Sequence, residues 1–255
     1  MHNRISGVVI TYNEERNIER CILSLKAICD EVIVVDSFSN DRTAEICQRQ
    51  GVRFFQHAFE GFGAQKQWAT SQALYDYILS LDADECFSPE LIQELKKAKS
   101  GNMSDCYEFP RLTMYCGHWV RHCGWYPDRK IRLWNKEKAS WSGLTVHETV
   151  IPKRDTTLLV TFQNPILHYS FERAEDHYRK IEHYTTLQSE ALYQKGKKFS
   201  PAYKYFTSII KFLEVCFFKL GFMDGRTGFQ IAWRSAEQQF LKYQKLEKLN
   251  RNSSH

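Results

Sequence analysis

Three acidic side chains close one apolar run: Leu81-Asp82-Ala83-Asp84-Glu85 follows directly on YILS. Two carboxylates spaced i, i+2 reach one ligand only where a strand bends or stops. Such a pair of oxygen donors suits a hard divalent cation that keeps open positions for phosphate oxygens. The competing reading is an acidic turn in which Asp84 or Glu85 caps the next helix. Two similar clusters follow the first and second apolar runs, Thr11-Tyr12-Asn13-Glu14-Glu15 and Asp36-Ser37-Phe38-Ser39-Asn40-Asp41-Arg42-Thr43. Acids and hydroxyls at three strand ends are what a ribose and base pocket beside a metal requires. The chain has no Gly-rich phosphate loop, which argues against P-loop and dinucleotide sites. A bound diphosphate is then most simply neutralised by a metal at Asp82 and Asp84.

The elements that position these residues alternate. Residues 4–10, 31–35, 52–56 and 77–81 read as short buried strands, and 17–26, 43–50 and 64–75 as helices between them. Near-continuous apolar strands joined by helices predict a parallel sheet covered on both faces, with a ligand edge at the strands' C-terminal ends. Strands and aromatic loops are expected from 100 to 170, among them 106–112, 130–134 and 158–161. From 171 onward the texture is helical: a long apolar helix at 203–222, a Gly-rich break at 221–228 and a last helix at 229–249.

Composition sets the outer bounds. The 255 residues are 43% hydrophobic and 25% charged, an ordinary globular balance that excludes wholesale disorder. Eight cysteines without a repeating spacing read as buried thiols of a reducing compartment, not a disulfide framework. The N-terminus lacks the pattern of a signal peptide, and no apolar run is long enough for a transmembrane helix. The net charge of +5 is uneven: residues 1–170 carry 20 Lys and Arg against 21 Asp and Glu, whereas 171–255 carry 15 against 9. A basic last third on a near-neutral body points to a negatively charged partner. Phe206, Ile209, Ile210, Leu213, Phe217 and Leu220 recur at helical spacing. They form a stripe that either packs on the rest of the chain or lies in a membrane interface. No nucleic-acid-binding module is recognisable, so nucleic acid is not expected as a partner.

Taken together, Thr-Tyr-Asn-Glu-Glu at 11–15, Val-Asp-Ser-x-Ser-x-Asp-x-Thr at 35–43, Gly-Phe-Gly-Ala-Gln-Lys at 61–66 and Leu-Asp-Ala-Asp-Glu at 81–85 resemble the family 2 glycosyltransferases. Gly124-Trp125-Tyr126-Pro127-Asp128, Arg132-Leu133-Trp134 and Val146-His147-Glu148 resemble the subgroup of lipopolysaccharide core synthesis. The resemblance covers most of 1–185. It implies an α/β fold of the GT-A (Rossmann-like) type: a mixed, mainly parallel sheet with helices on both faces, followed by a helical C-terminal extension. It implies residues 1–170 as the catalytic domain, with 1–99 binding the nucleotide sugar and 100–170 the acceptor, and 171–255 as the basic extension. The implied reaction is inverting transfer of a hexose, glucose or galactose, from a UDP-sugar to a saccharide or lipid-linked glycan, with Mg²⁺ or Mn²⁺. The implied place is the cytoplasm, at the inner face of the cytoplasmic membrane.

Carried over residue by residue, the resemblance puts Thr11, Tyr12 and Glu14 at the nucleobase and ribose and Asp36 at the uracil or ribose. Lys66 falls near the donor, although a solvated helix lysine is an equal reading. Asp82 faces ribose and metal, with Ala83 in the donor site beside it, and Asp84 binds the metal. His168 resembles the late histidine that completes the metal site, with His147 as the alternative. The base that takes the acceptor proton is Glu148 or Asp128, with Glu148 preferred, and Trp125 and Tyr126 offer aromatic faces to the acceptor. Cys116, His118, His122 and Cys123 superficially suggest zinc, but their spacing matches no zinc-finger pattern. Transferases for capsule, exopolysaccharide or peptide acceptors would share the same donor site. A nucleotide-sugar-binding scaffold without turnover is the alternative from another class, and a nucleotidyltransferase is disfavoured by the absence of a Gly-rich basic loop.

Overall fold

The computed structural model describes residues 3–142 and 148–252. Two compact units divide the chain, Met1–Leu112 with Asp128–Tyr169 and Thr113–Pro127 with Ser170–His255. In chain order the elements begin with β1 (Ile5–Thr11), α1 (Ile18–Lys26), β2 (Glu31–Asp36), α2 (Thr43–Arg49), β3 (Arg53–Gln56), α3 (Phe62–Ser71) and β4 (Tyr77–Asp82). Then come β5 (Glu85–Phe87), α4 (Pro89–Ser100), β6 (Cys106–Tyr115), β7 (His118–Val120), β8 (Asp128–Asn135), β9 (Ala139–Trp141), β10 (Val150–Pro152), β11 (Leu159–Thr161) and β12 (Ile166–Phe171). The main sheet runs β3-β2-β1-β4-β8-β6-β12-β5, with β7 and β11 both on β6, and β9 pairs separately with β10. Strands β3, β2, β1 and β4 are mutually parallel, and β8 joins β4 antiparallel, so the sheet is mixed as expected.

Register aligns the strand ends. Thr11 pairs with Asp36, and Ile10 with Asp82, so three acid- and hydroxyl-bearing turns leave the sheet along one edge. Alternation along each strand fills both faces. Ile5, Val9, Val34 and Leu81 pack against α1, α2 and α4, whereas Val8, Ile33, Val35 and Ile78 pack against α3 and the β9–β10 pair.

Two element expectations change. Helix α3 ends at Ser71 instead of continuing to Tyr75, because the next residues are drawn to the sheet: Leu74 N–H donates to Glu31 Oε1 (2.7 Å) and Tyr75 N–H to Ser6 Oγ (3.1 Å). The helix after the acidic turn is α4, and its cap is Ser88, whose hydroxyl accepts from Leu91 N–H (3.2 Å) ahead of Pro89. Neither Asp84 nor Glu85 caps it, and Glu85 instead opens β5.

In the second unit, α5 (Ala174–Gln194), α6 (Tyr203–Leu213) and α7 (Gly225–Asn252) accompany a small core of Tyr115, Val120, Val215, Cys216, Ile231 and Ala232. The expected helix at 203–222 stops at Leu213, and a wider turn over Glu214–Phe218 and a short 3₁₀ turn over Gly221–Asp224 follow. The Gly-rich stretch is only partly a break. Leu220 (φ 54°) and Gly225 (φ 59°) turn the chain, but Gly228 lies inside α7. A Cβ on Gly228 would stand 1.7 Å from the Gly221 carbonyl oxygen, so this glycine lets two backbones touch. Helix propensity alone predicts that Gly228→Ala stabilises by up to about 1 kcal/mol. Backbone contact reverses the sign, and urea unfolding should show the variant less stable by about 2 kcal/mol, in the range for overpacking.

A candidate active site at the sheet edge

The turns after β1 and β2 are laced together. Asn13 N–H donates to Ser39 Oγ (2.8 Å), Asn40 N–H to Asn13 Oδ1 (2.9 Å), and Glu14 N–H to Thr43 Oγ1 (2.9 Å). Asp36 is fully buried, and its carboxylate accepts from Ser39 N–H (2.9 Å) and from the Ser39 hydroxyl. Gln65, also buried, joins Ser37 Oγ and the His57 carbonyl at 3.1 Å each, tying α3 to the same edge. Thr11 Oγ1 is buried and has no hydrogen-bond partner among the described residues. Tyr12 and Phe38 stand exposed beside these turns, and the Glu14 carboxylate accepts from Asn17 Nδ2 (2.9 Å). Sequence-predicted Thr11, Tyr12, Glu14 and Asp36 therefore meet at one edge.

A chain of alternating charges runs from one predicted base to the other. Glu148 Oε1 lies 3.0 Å from Lys66 Nζ, which lies 2.8 Å from Asp82 Oδ1. Asp82 Oδ2 then meets Arg132 Nη2 at 2.6 Å, and the same nitrogen reaches Glu85 Oε1 at 2.9 Å. Arg111 continues the chain, with Nη1 3.0 Å from Glu85 Oε1 and Nη2 2.5 Å from Asp128 Oδ2. Lys66 is 4% exposed, so the solvated-lysine reading does not describe it. Burial alone would raise the Asp82 carboxyl, but Arg132 and Lys66 overcome it and hold the group well below the usual range. Burial likewise opposes Arg111 and Lys130 at Asp128, and the two cations win, lowering that carboxyl.

Asp84 has a different partner. Strand β12 runs antiparallel to β5 with His168 opposite Glu85, and Tyr169 N–H donates to the Asp84 carbonyl (2.9 Å). This pairing sets His168 Nε2 3.1 Å from Asp84 Oδ2. Asp84 and His168, expected as metal ligands, are thus adjacent; the carboxylate suits either Mg²⁺ or Mn²⁺, and the imidazole nitrogen beside it favours Mn²⁺ over Mg²⁺. Asp82 is already clasped by two cations. Among the described residues no three His, Cys, Asp or Glu side chains form a preformed metal cage. A cation here would take its remaining oxygens from a ligand. His147, the alternative ligand, lies outside the described residues.

Trp125, expected at the acceptor, packs edge-on to Tyr115 and His177 and tilted against Phe171 in the second unit, and Tyr126 beside it is half-buried. The four side chains suggestive of zinc do not converge. His122 Nδ1 turns to Asp224 Oδ1 (3.1 Å), His118 Nε2 lies 3.6 Å from the same oxygen, Cys123 is buried and Cys116 exposed. All eight cysteines are free. Sequence reading assigned no role to Glu85, Arg111 or Arg132, whose side chains build the charged chain beneath the site. The third acid of Leu81–Glu85 and the Arg132-Leu133-Trp134 motif were the only local signs of them.

Acids, hydroxyls and buried cations along the carboxyl edge of a helix-covered sheet define an α/β enzyme whose ligand sits at the strand ends. The comparison with known proteins gives the family: residues 6–154 match the model described as glycosyl transferase family 2, and the chain belongs to that family. It is a glycosyltransferase built on the mixed, helix-covered sheet described above. Among its relatives, a glycosyltransferase of Rickettsia typhi is 34% identical over 259 residues, covering 98% of this chain and 89% of that protein. The lipopolysaccharide core biosynthesis glycosyltransferase LpsC of Rhizobium meliloti is 28% identical, covering 95% of this chain and 91% of LpsC. Among solved structures, TarS of S. aureus in complex with UDP-GlcNAc superposes with a TM-score of 0.48 at 15% identity, covering 98% of this chain and 92% of that one. Among the described residues no helix is long and apolar enough to cross a membrane.

Proposed function

We propose that this glycosyltransferase moves a hexose, glucose or galactose, from a UDP-sugar to a saccharide acceptor of the lipopolysaccharide core, with inversion and with the help of Mg²⁺ or Mn²⁺. The observation that carries the reading is the pairing of two devices on one unit: Asp84 beside His168, and Glu148 joined through Lys66 to Asp82. The likeness to LpsC supports the core acceptor. Residues 1–99 hold the donor, 100–170 the acceptor, and 171–255 form the basic extension, at the inner face of the cytoplasmic membrane.

In this reading Thr11, Tyr12, Glu14 and Asp36 hold the nucleoside, with Ala83 beside it, and Trp125 and Tyr126 serve the acceptor. Asp84 and His168 would hold the cation, with Asp82 facing both it and the ribose. When bound, the cation stabilises charge developing on the departing diphosphate. Glu148 accepts the proton of the acceptor hydroxyl as its oxygen bonds to the anomeric carbon. The bond from that carbon to the diphosphate oxygen breaks, and UDP leaves with the electron pair. A single displacement of this kind inverts the anomeric centre. Lys66 keeps Glu148 in place, and Arg132 with Glu85 anchors Asp82 from below.

Release of UDP from a panel of UDP-sugars, with Mn²⁺ or Mg²⁺ and with EDTA, tests the proposal. Slow hydrolysis of one UDP-hexose that EDTA abolishes is the expected result. Absence of binding for every nucleotide sugar in calorimetry with Mn²⁺ would overturn it.

A further inference from the structure

Helix α6 has no buried residue along its 11 positions. Its apolar side chains are nonetheless large: Phe206 is 64% exposed and Ile209 62%. Spacing of 206, 209, 210, 213 and 217 places them in one stripe. The turns that follow extend it with Phe217, Phe218 and Phe222, and Phe218 is 85% exposed. On α7, Trp233 is 59% exposed and borders an open apolar groove of about 450 Å³ that Tyr205, Ile209, Phe212 and Phe240 also line. Exposed apolar side chains of this size and number mark a surface meant to be covered.

Charge says what covers it. Residues 203–252 carry nine Lys and Arg against four acids. Each acid is held by a basic side chain: Glu214 by Lys211 (2.9 Å) and Lys219 (2.7 Å), Glu237 by Arg234 (2.6 Å), Glu247 by Lys204 (2.7 Å) and Asp224 by His122 (3.1 Å). The segment therefore keeps a net positive charge, even with Lys245 held by Glu182 (2.6 Å) outside it. A second copy would bring the same surplus to the contact and repel it, whereas an anionic bilayer meets both the charge and the apolar face.

We propose that α6, the turns after it and the Trp233 side of α7 form a docking face for an anionic lipid bilayer. The helix lies in the interfacial plane, its aromatic and aliphatic stripe among the acyl chains. Lysine and arginine stems reach outward so that their heads meet lipid phosphates. This deepens the membrane placement in the proposed function, but it stands on lipid binding alone and needs neither donor nor acceptor.

The test is co-sedimentation of the full chain with vesicles of phosphatidylcholine, with and without phosphatidylglycerol. Binding is expected on the anionic vesicles, weaker on phosphatidylcholine alone, and reduced by salt. The double substitution Phe206→Ser/Phe218→Ser should lower partitioning at least about tenfold, with an unchanged melting temperature, since both side chains are exposed. Failure of the unaltered chain to bind anionic vesicles would overturn the proposal, as would unaltered binding by the double variant. So would a lipid-free dimer that the same substitutions dissolve, because the face would then belong to a second copy. UDP release is not read in this experiment, so failure here leaves the donor assignment standing, and failure of the donor assignment leaves this one.

Discussion

Glu148→Gln should leave donor affinity within about twofold of the unaltered chain and lower turnover at least about 10²-fold, the lower end for loss of a general base. Glutamine is the informative replacement because its amide oxygen still accepts from Lys66, now 3.0 Å from Glu148. Alanine would free a buried ammonium beside Asp82 and mix structural damage with chemistry. The rival base, Asp128, is poorly placed to take a proton. Arg111 grips it through Nε (3.0 Å) and Nη2 (2.5 Å), and Lys130 adds a contact at 3.2 Å. Those cations lower its carboxyl, so at neutral pH it is a weaker base than an ordinary aspartate. UDP release with acceptor present, set beside calorimetric UDP binding, separates the two quantities. Turnover retained in Glu148→Gln and lost in Asp128→Asn would transfer the role to Asp128.

The first four strands and their ligand edge were legible because a parallel sheet buried on both faces needs unbroken apolar strands. Val8–Val9 and Ile33–Val35 supply them, with polar turns marking each end. Short elements carried no such period. Strand β5 is only Glu85–Phe87, and nothing local distinguishes it from a turn until β12 pairs with it. Gly228 shows a different failure. A glycine inside a helical pattern reads as a break, and only the approach of the Gly221 carbonyl reveals that it is a contact. The charged chain beneath the site was illegible for a third reason. Glu85 lies 26 residues from Arg111 and 47 from Arg132, and such pairings are set by sheet order, not by spacing along the chain. His168 was placed through family resemblance alone, since a histidine at a strand end has no local mark of a ligand.

Asp84→Ala should abolish the cation-dependent part of UDP binding. Calorimetry of the unaltered chain is expected to show affinity falling at least about 10²-fold when EDTA replaces Mn²⁺, close to 3 kcal/mol. The variant should bind at the EDTA level whether or not Mn²⁺ is present. Asp84 is the better residue to remove than Asp82, although both lie in the same acidic turn. Asp82 neutralises Lys66 and Arg132, each nearly buried, and its loss would leave them only Glu148 and Glu85, the latter shared with Arg111, so that a buried network carries excess positive charge, a defect that typically costs several kcal/mol. Asp84 is joined to β12 both through its carboxylate at His168 and through its backbone carbonyl, which accepts from Tyr169 and survives the change to alanine. Folding should therefore persist, and thermal unfolding of the variant without nucleotide verifies that. His168→Ala removes the facing nitrogen while keeping the carboxylate, so it should retain part of the Mn²⁺ response. An Asp84→Ala chain that still answered Mn²⁺ as the unaltered one does would place the cation elsewhere. The Asp84–His168 contact would then be a structural link between β5 and β12, and Glu148 would have to act on a donor neutralised by Lys66 and Arg132 alone.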